Sequence, residues 1–286
     1  MNRRRFLRTT LGATGAVALG RRALLWGAAT RQASDAVTLG PDKIRLSRLA
    51  VGTGTKGGSI QRQLGFEGLV NLIRFGYDQG LFFWDTADGY RTHPHVAAAL
   101  KGVPREKVTI MTKTRASTAE QMKADLDRFR QELGTDYLDI VLLHAVRTPD
   151  WPEQRKGAME VLAEARGKGL VRTHGVSCHS LEALQTAAKN PWIRVFLARI
   201  NPAGMLMDAE PGAVVPVLRQ MKAAGKGIIG MKILGEGGLR DRVDECLRYA
   251  LALGCLDCFT IGAANREEMS DLIKRIPPAS QMAQAA

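Results

Sequence analysis

Four cysteines in 286 residues are too few for the disulfide framework that holds small secreted folds together. Cys255-x-x-Cys258 has no second Cys or His pair at ligand spacing, so a zinc site is not expected. Both read as small core residues, with an export-linked disulfide as the alternative, and Cys246 has the spacing of a helix core position. Aromatics make up only 6% of the chain, and no basic stripe is interleaved with them, which argues against nucleic-acid binding. No apolar run is long enough to form a stable transmembrane span. Acid is missing from the first 34 residues, which hold seven arginines. Setting those residues aside leaves 34 basic against 28 acidic side chains, a net of +6 in place of +13 and ordinary for a soluble domain.

What that acid-free end does contain is Arg3-Arg4-Arg5-Phe6-Leu7-Arg8 followed by a weakly apolar stretch from Thr9 to Gly20. The segment resembles a twin-arginine export signal, which carries already folded proteins across a bacterial inner membrane. The resemblance implies the export machinery as a partner and a periplasmic location. Ala28-Ala29 is a candidate cleavage point, and an uncleaved membrane tether is the alternative. A basic tail without targeting function is the plainer reading. Residues 1–35 are therefore set apart as signal and linker, 36–276 as the folded domain, and 277–286 as a short tail.

From there the chain alternates. A linker from Gln32 to Leu39 leads to strand Ile44–Leu49. Strands are then predicted at Leu81–Trp84, Val108–Lys113, Leu138–His144, Val171–Val176, Val195–Ile200, Gly227–Met231 and Phe259–Ile261. Helices are predicted between them at Phe66–Gln79, Val96–Leu100, Thr118–Leu133, Pro152–Gly167, Leu181–Lys189, Ala213–Ala223 and Arg240–Leu253, with Glu267–Arg275 last. Ser117 or Thr118 caps the third helix and Gly134 stops it. Eight strand–helix units in roughly 250 residues match a single-domain (β/α)8 TIM barrel. The competing open doubly wound sheet would want a phosphate loop after its first strand. Gly52-Thr53-Gly54-Thr55-Lys56-Gly57-Gly58 is only loosely of that kind, because no helix follows at once.

A barrel opens all its strand ends on one face, so Asp85, Tyr90, Lys113 and His144 must converge there. A phenol with a pKa near 10 exchanges protons poorly at neutrality. An adjacent ammonium, itself held by a carboxylate, favours phenolate, and a neutral imidazole can donate to an oxygen gaining negative charge. The set suits protonating a carbonyl oxygen as hydride reaches its carbon, or the reverse. No side chain supplies hydride, so a nicotinamide is implied. Two other readings stay open: a barrel binding a sugar or polyol without redox turnover, and an isomerase using the same proton-transfer set.

Asp85-Thr86-Ala87-x-x-Tyr90, Lys113, Leu142-Leu143-His144, Gly175-Val176-Ser177 and Thr260-Ile261-Gly262 together resemble the aldo-keto reductase family, over about Ile44 to Ile273. The resemblance implies Tyr90 as general acid, tuned by Lys113 and Asp85, with His144 orienting a small carbonyl substrate. It implies NAD(P)H across the mouth, flanked by Gly54 and Thr55, its carboxamide held by Ser177 and Cys178. Asn201 stands where the family has Gln, and Met231 replaces the aromatic under the nicotinamide, with Lys232 next. Leu234-Gly235-Glu236-Gly237-Gly238 would wrap the pyrophosphate, although Glu236 adds negative charge there, and Gly262 follows the last strand. Cations for an adenosine 2′-phosphate are missing near Ala263, Ala264 and Met269, where Arg266 is the neighbouring candidate; weaker NADPH binding, with NADH tolerated or preferred, is expected. A chain stopping soon after its last helix suggests an open mouth and broad carbonyl specificity. His93 and His95 are assigned to an exposed loop, and His174 and His179 to the mouth.

Overall fold

The computed structural model describes residues 30–285. The segment expected to act as an export signal, with Ala28-Ala29, lies outside the described residues. The first described element is a hairpin in which β1 (Ala36–Leu39) pairs antiparallel with β2 (Ile44–Ser47). Gly40, at φ 60°, makes the turn. The predicted linker Gln32–Leu39 and strand Ile44–Leu49 are corrected here. The hairpin is short and alternating because only one face is buried: Leu39, Ile44 and Leu46 plug the bottom of the barrel interior. Asp42 fixes the plug, accepting from Thr173 at 2.7 Å, Arg194 at 2.6 Å and Arg166 at 3.1 Å.

The barrel begins with β3 (Leu49–Gly52) and continues through β4 (Phe83–Asp85), β5 (Thr109–Thr114), β6 (Leu138–Val146), β7 (Val171–Cys178), β8 (Val195–Arg199), β9 (Gly227–Met231) and β10 (Cys258–Ile261). All eight strands pair in parallel, and β10 pairs back onto β3 to close the ring. Side chains alternate between two layers, as a pleated strand requires. Ala50, Phe83, Met111, Ile140, Leu142, Val195, Leu197, Ile229 and Met231 fill the interior. Val51, Trp84, Ile110, Val141, Leu143, Val176, Phe196 and Ile228 face the helices.

The helices are α1 (Ser59–Arg62), α2 (Gly65–Asp78), α3 (His93–Leu100), α4 (Ala119–Leu133), α5 (Trp151–Gln154), α6 (Lys156–Gly167), α7 (Leu181–Lys189), α8 (Pro211–Ala223), α9 (Val243–Ala252) and α10 (Arg266–Ala285). α4 has the expected ends: Thr118 and Gln121 form a capping box, and Gly134 closes the helix at φ 62°. Several boundaries differ from the sequence reading: α3 begins at His93, β6 runs on to Val146 and β7 to Cys178. The predicted fourth helix is divided into α5 and α6, Arg240–Arg242 is a separate 3-10 turn before α9, and α10 runs on through Pro277 and Pro278. Packing outweighs the two prolines, since Ile276, Ala279 and Ser280 are buried and Arg31 N donates to Ser280 Oγ at 3.0 Å. Among the described residues no helix is long and apolar enough to cross a membrane.

Candidate active site

Three neighbouring staves deliver the site. β4 ends in Asp85, β5 carries Lys113 one residue from its end, and β6 carries His144 near its own. Lys113 is fully buried, and its ammonium pairs with Asp85 Oδ1 and donates to Thr86 O at 2.7 Å. Asp85 Oδ2 accepts from Thr260 Oγ1 at 2.9 Å. A buried charge pair needs such supplementary bonds, because desolvation otherwise offsets its attraction. Tyr90 stands in a 3-10 turn, Asp88–Tyr90, with the Lys113 nitrogen 4.6 Å from its ring centroid. The ring of His144 meets it edge-on, with centroids 5.7 Å apart.

Electrostatics refine the expected roles. Burial raises the Tyr90 phenol above its ordinary value, and Lys113 pulls it down by less. The hydroxyl therefore holds its proton at neutrality, as an acid must. Burial lowers the Lys113 pKa, but Asp85 and Tyr90 more than reverse this, so the ammonium persists. Burial, then the charges of Lys113 and Arg115, bring His144 down to about 3. It is a neutral imidazole that can donate one hydrogen bond without adding charge.

Around this cluster runs a chain of threonine hydroxyls that the sequence reading missed. Thr53 Oγ1 donates to Asp85 O at 2.9 Å, Thr92 Oγ1 lies 2.8 Å from it, and Thr86 Oγ1 lies 2.7 Å from Thr92. Gln61 was missed as well. Its amide joins Thr55 to Ala263 O, at 3.1 and 3.0 Å on Thr55 and 3.2 Å on Ala263, knitting the loop after β3 to the loop after β10. A polar residue 1% exposed inside a predicted loop leaves no periodic signal. At Gly54 a side chain would collide with the Tyr90 ring, so close approach demands glycine.

Beside Tyr90 and Asp85 a cavity of about 770 Å³ extends over Met231 and under the loop after β9, reaching the start of α10. The Aldo/keto reductase family profile matches residues 48–274. The chain belongs to the aldo-keto reductase family. A relative described as a probable aldo-keto reductase 1 of Glycine max is 28% identical over 220 residues, covering 70% of this chain and 60% of its own. The NADH-specific methylglyoxal reductase of Escherichia coli is 26% identical over 170 residues, 49% of this chain and 51% of its own. The chain thus spans between half and three fifths of the length of these curated relatives. Among solved structures, the holo form of an aldo-keto reductase of Bacillus halodurans superposes with a TM-score of 0.69 at 18% identity, covering 88% of this chain and 95% of that one. The Bombyx mori aldo-keto reductase in complex with NADP gives 0.65 at 19%, covering 88% and 93%. At that identity the structures speak for the (β/α)8 fold alone.

Within this aldo-keto reductase, seven of the residues assigned to the cofactor border the cavity: Gly54, Thr55, Met231, Lys232, Leu234, Gly235 and Gly262. Three do not. Ser177 is wholly buried and accepts from Ala145 N at 2.9 Å, fixing the residue after His144. Cys178 is its neighbour on β7 and so faces the opposite way, into the helix-side core. Asn201 is buried with its amide committed to backbone: its nitrogen donates to Met205 O at 2.7 Å and Lys232 O at 3.1 Å, and its oxygen accepts from Ala203 and Met205. It shapes the loop and has no donor left for a ligand.

Other expectations are corrected in the same way. His93 is not in an exposed loop: it opens α3, 2% exposed, between Glu132 at 2.6 Å and Thr112 at 2.8 Å. His174 lies on the outer side of β7, stacked on Trp192 at 4.3 Å. Arg266 lies over Phe75, 5.5 Å from its centroid, and Met269 is buried in the core. Cys255 and Cys258 are free thiols in opposite layers. Among the described residues no group of His, Cys, Asp and Glu could hold a metal. Lys232 and Glu236 pair with each other, and Glu236 also accepts from Lys56 N at 3.3 Å, tying the loop after β9 to the loop after β3.

Proposed function

We propose that this protein reduces aldehydes or ketones, or oxidises the corresponding alcohols, with a nicotinamide and with Tyr90 as the proton donor or acceptor. The observation that carries this reading is the Asp85–Lys113–Tyr90–His144 cluster at one end of a cavity roomy enough for a dinucleotide. Gly54 and Gly262 leave backbone exposed where a flat ring can approach, and Met231, 9% exposed, offers an apolar thioether beneath it. These residues fit a nicotinamide, which when bound supplies or accepts the hydride. The chain's own part is acid–base. Neutral His144 donates to the carbonyl oxygen, Tyr90 transfers its proton to that oxygen, and Lys113, held by Asp85, balances the phenolate left behind. Replacing Tyr90 by Phe should lower kcat by at least about a thousandfold while nicotinamide binding, read by fluorescence quenching, is retained. Full turnover by that variant overturns the reading.

The dinucleotide in this proposal is NADH in preference to NADPH. The far end of the cavity is bordered by Glu268 and Asp271, with Arg240 on the opposite loop. Glu268 accepts from Ala264 N at 2.7 Å and so holds its negative charge at that wall. Titration with both dinucleotides decides the matter, and NADPH binding much tighter than NADH refutes it. The proposed site of action is the periplasm, reached folded and loaded through the twin-arginine route, on the strength of Arg3-Arg4-Arg5-Phe6-Leu7. Replacing Arg3, Arg4 and Arg5 by Lys should then retain the protein in the cytoplasm on fractionation; unchanged distribution counts against export.

A further inference from the structure

The strand ends place two arginines beside His144 and His179, and among the described residues neither has an ion-pair partner. Lys113 and Thr114 of β5 pair with Leu142 and Leu143 of β6, so Arg115 arrives level with His144. Val146 pairs with Cys178, so Arg147 arrives level with His179, whose N–H donates to Val146 O at 2.7 Å. Alternation on β5, and on β6 the bulge at Ala145 that switches its parity, set the direction. Met111 and Lys113 face the interior, and Arg115 is next in that series. Val146 and Cys178 face the helices, so Arg147 and His179 take the inward parity. Three other cations at this mouth are each matched by a carboxylate: Lys113 by Asp85, Arg199 by Asp208 and Lys232 by Glu236.

Arg115 and Arg147 are exposed, and among the described residues only their backbone carbonyls are engaged, by Arg155 and Ser180. Their charges reach the histidines: Arg115 acts on both His144 and His179, and Arg147 on His179. Like charges gathered around a mouth repel unless an anion joins them, and guanidinium is the group best shaped to grip carboxylate or phosphate with two bonds.

We propose that Arg115 and Arg147, flanking His179, form an anion-recognition site on the substrate side of the mouth, and that the carbonyl compound handled here carries a carboxylate or phosphate at its far end. The inference rests on the carbonyl-reductase reading and deepens it. Arg115 stands two residues beyond Lys113, and Arg147 stands three beyond His144 across the bulge at Ala145 that lets three residues of β6 span two of β7, so each lies ~7 Å further along its strand direction. A short oxo acid with its carbonyl at His144 and Tyr90 spans that distance together with a guanidinium's reach.

The test compares 4-oxobutanoate with butanal, and glyceraldehyde 3-phosphate with glyceraldehyde, at low salt. The charged member of at least one pair should be preferred in kcat/KM by about tenfold or more. The pair showing the larger preference identifies carboxylate or phosphate as the group recognised. In the R115Q/R147Q double variant that preference should fall to within about threefold of unity. A charge-matched control, K189Q/R219Q, alters exposed residues near the ends of α7 and α8, at the opposite face of the barrel, and should keep it. Equal rates for charged and neutral members, or a preference that survives the double variant, overturns the site. Should neither pair turn over with either dinucleotide, the reductase reading fails separately. Calorimetric titration with succinate and with inorganic phosphate then decides the anion site: binding abolished by R115Q/R147Q supports it, and no binding to the unaltered protein overturns it.

Discussion

Thr260 Oγ1 donates a 2.9 Å hydrogen bond to Asp85 Oδ2, joining the last barrel stave to the carboxylate whose other oxygen holds Lys113. The bond satisfies an oxygen of a carboxylate that is only 5% exposed, at the wall of the cavity. Replacing Thr260 by Val keeps the shape of the side chain and removes the donor, so a buried carboxylate oxygen loses its partner. Stability should fall by about 1–3 kcal/mol, read from the urea midpoint at pH 7. A variant as stable as the parent shows that the hydroxyl is not holding the carboxylate.

Lys113 is the harsher case. It is 0% exposed and Asp85 is 5% exposed. Lys113→Met leaves a carboxylate buried without its counter-charge, at a cost of about 3–5 kcal/mol. Changing both residues, D85N with K113M, removes the uncompensated charge and should recover a large part of that loss. Turnover should be lost in the single and the double variant alike, because neither supplies an ammonium beside the Tyr90 phenol. A double variant no more stable than K113M alone rules out charge burial as the cause.

The histidines make stability depend on pH with a definite sign. Burial takes His144 from an ordinary 6.5 to about 3 and His174 to about 4. A pKa depressed in the folded state means that the unfolded chain takes up the proton first as pH falls. Stability is therefore full above pH 6.5 and is lost as pH drops through the window down to about 3–4. At pH 5 the expected loss is roughly 2 kcal/mol for each of these two histidines. Asp208, raised to about 6 by burial, works in the opposite sense between 6 and its ordinary 3.8. Comparing the parent with His174→Phe, which keeps a ring against Trp192, isolates one histidine. The variant's urea midpoint should change less between pH 7.5 and 5, and an unchanged slope contradicts the assignment.

The barrel was legible because each apolar run is short, is bounded by turn formers and recurs at even spacing. The four catalytic candidates were legible because three of them end such runs. What could not be read is set by contacts between segments far apart in the chain. Thr260 and Asp85 lie 175 positions apart, and Gln61 and Ala263 lie 202 apart, so nothing local marks them as partners. The β1–β2 hairpin passed for linker and strand because its one buried face is two or three residues wide. The outward turn of Cys178 was available, since a residue following an inward Ser177 on a strand must face the other way. Family pattern had priority there over the period of two, and the period was the better guide.

The far wall of the cavity carries the last prediction. Glu268 borders the same cavity as Tyr90, beside Asp271 and Leu272, and its carboxylate is fixed by the Ala264 N–H 2.7 Å away. A fixed negative charge can accept hydrogen bonds from the hydroxyls of an unphosphorylated ribose, and it repels a phosphate placed on that sugar. Replacing Glu268 by Gln keeps an acceptor for the N–H but removes the charge. The ratio of NADPH to NADH affinity, from fluorescence titrations at low salt, should rise by about tenfold, equivalent to ~1.4 kcal/mol. The gain should shrink as salt is added, because screening weakens what remains of the repulsion at a solvent-facing wall. A ratio that does not move places the sugar elsewhere in the cavity and removes the basis for a preference for NADH.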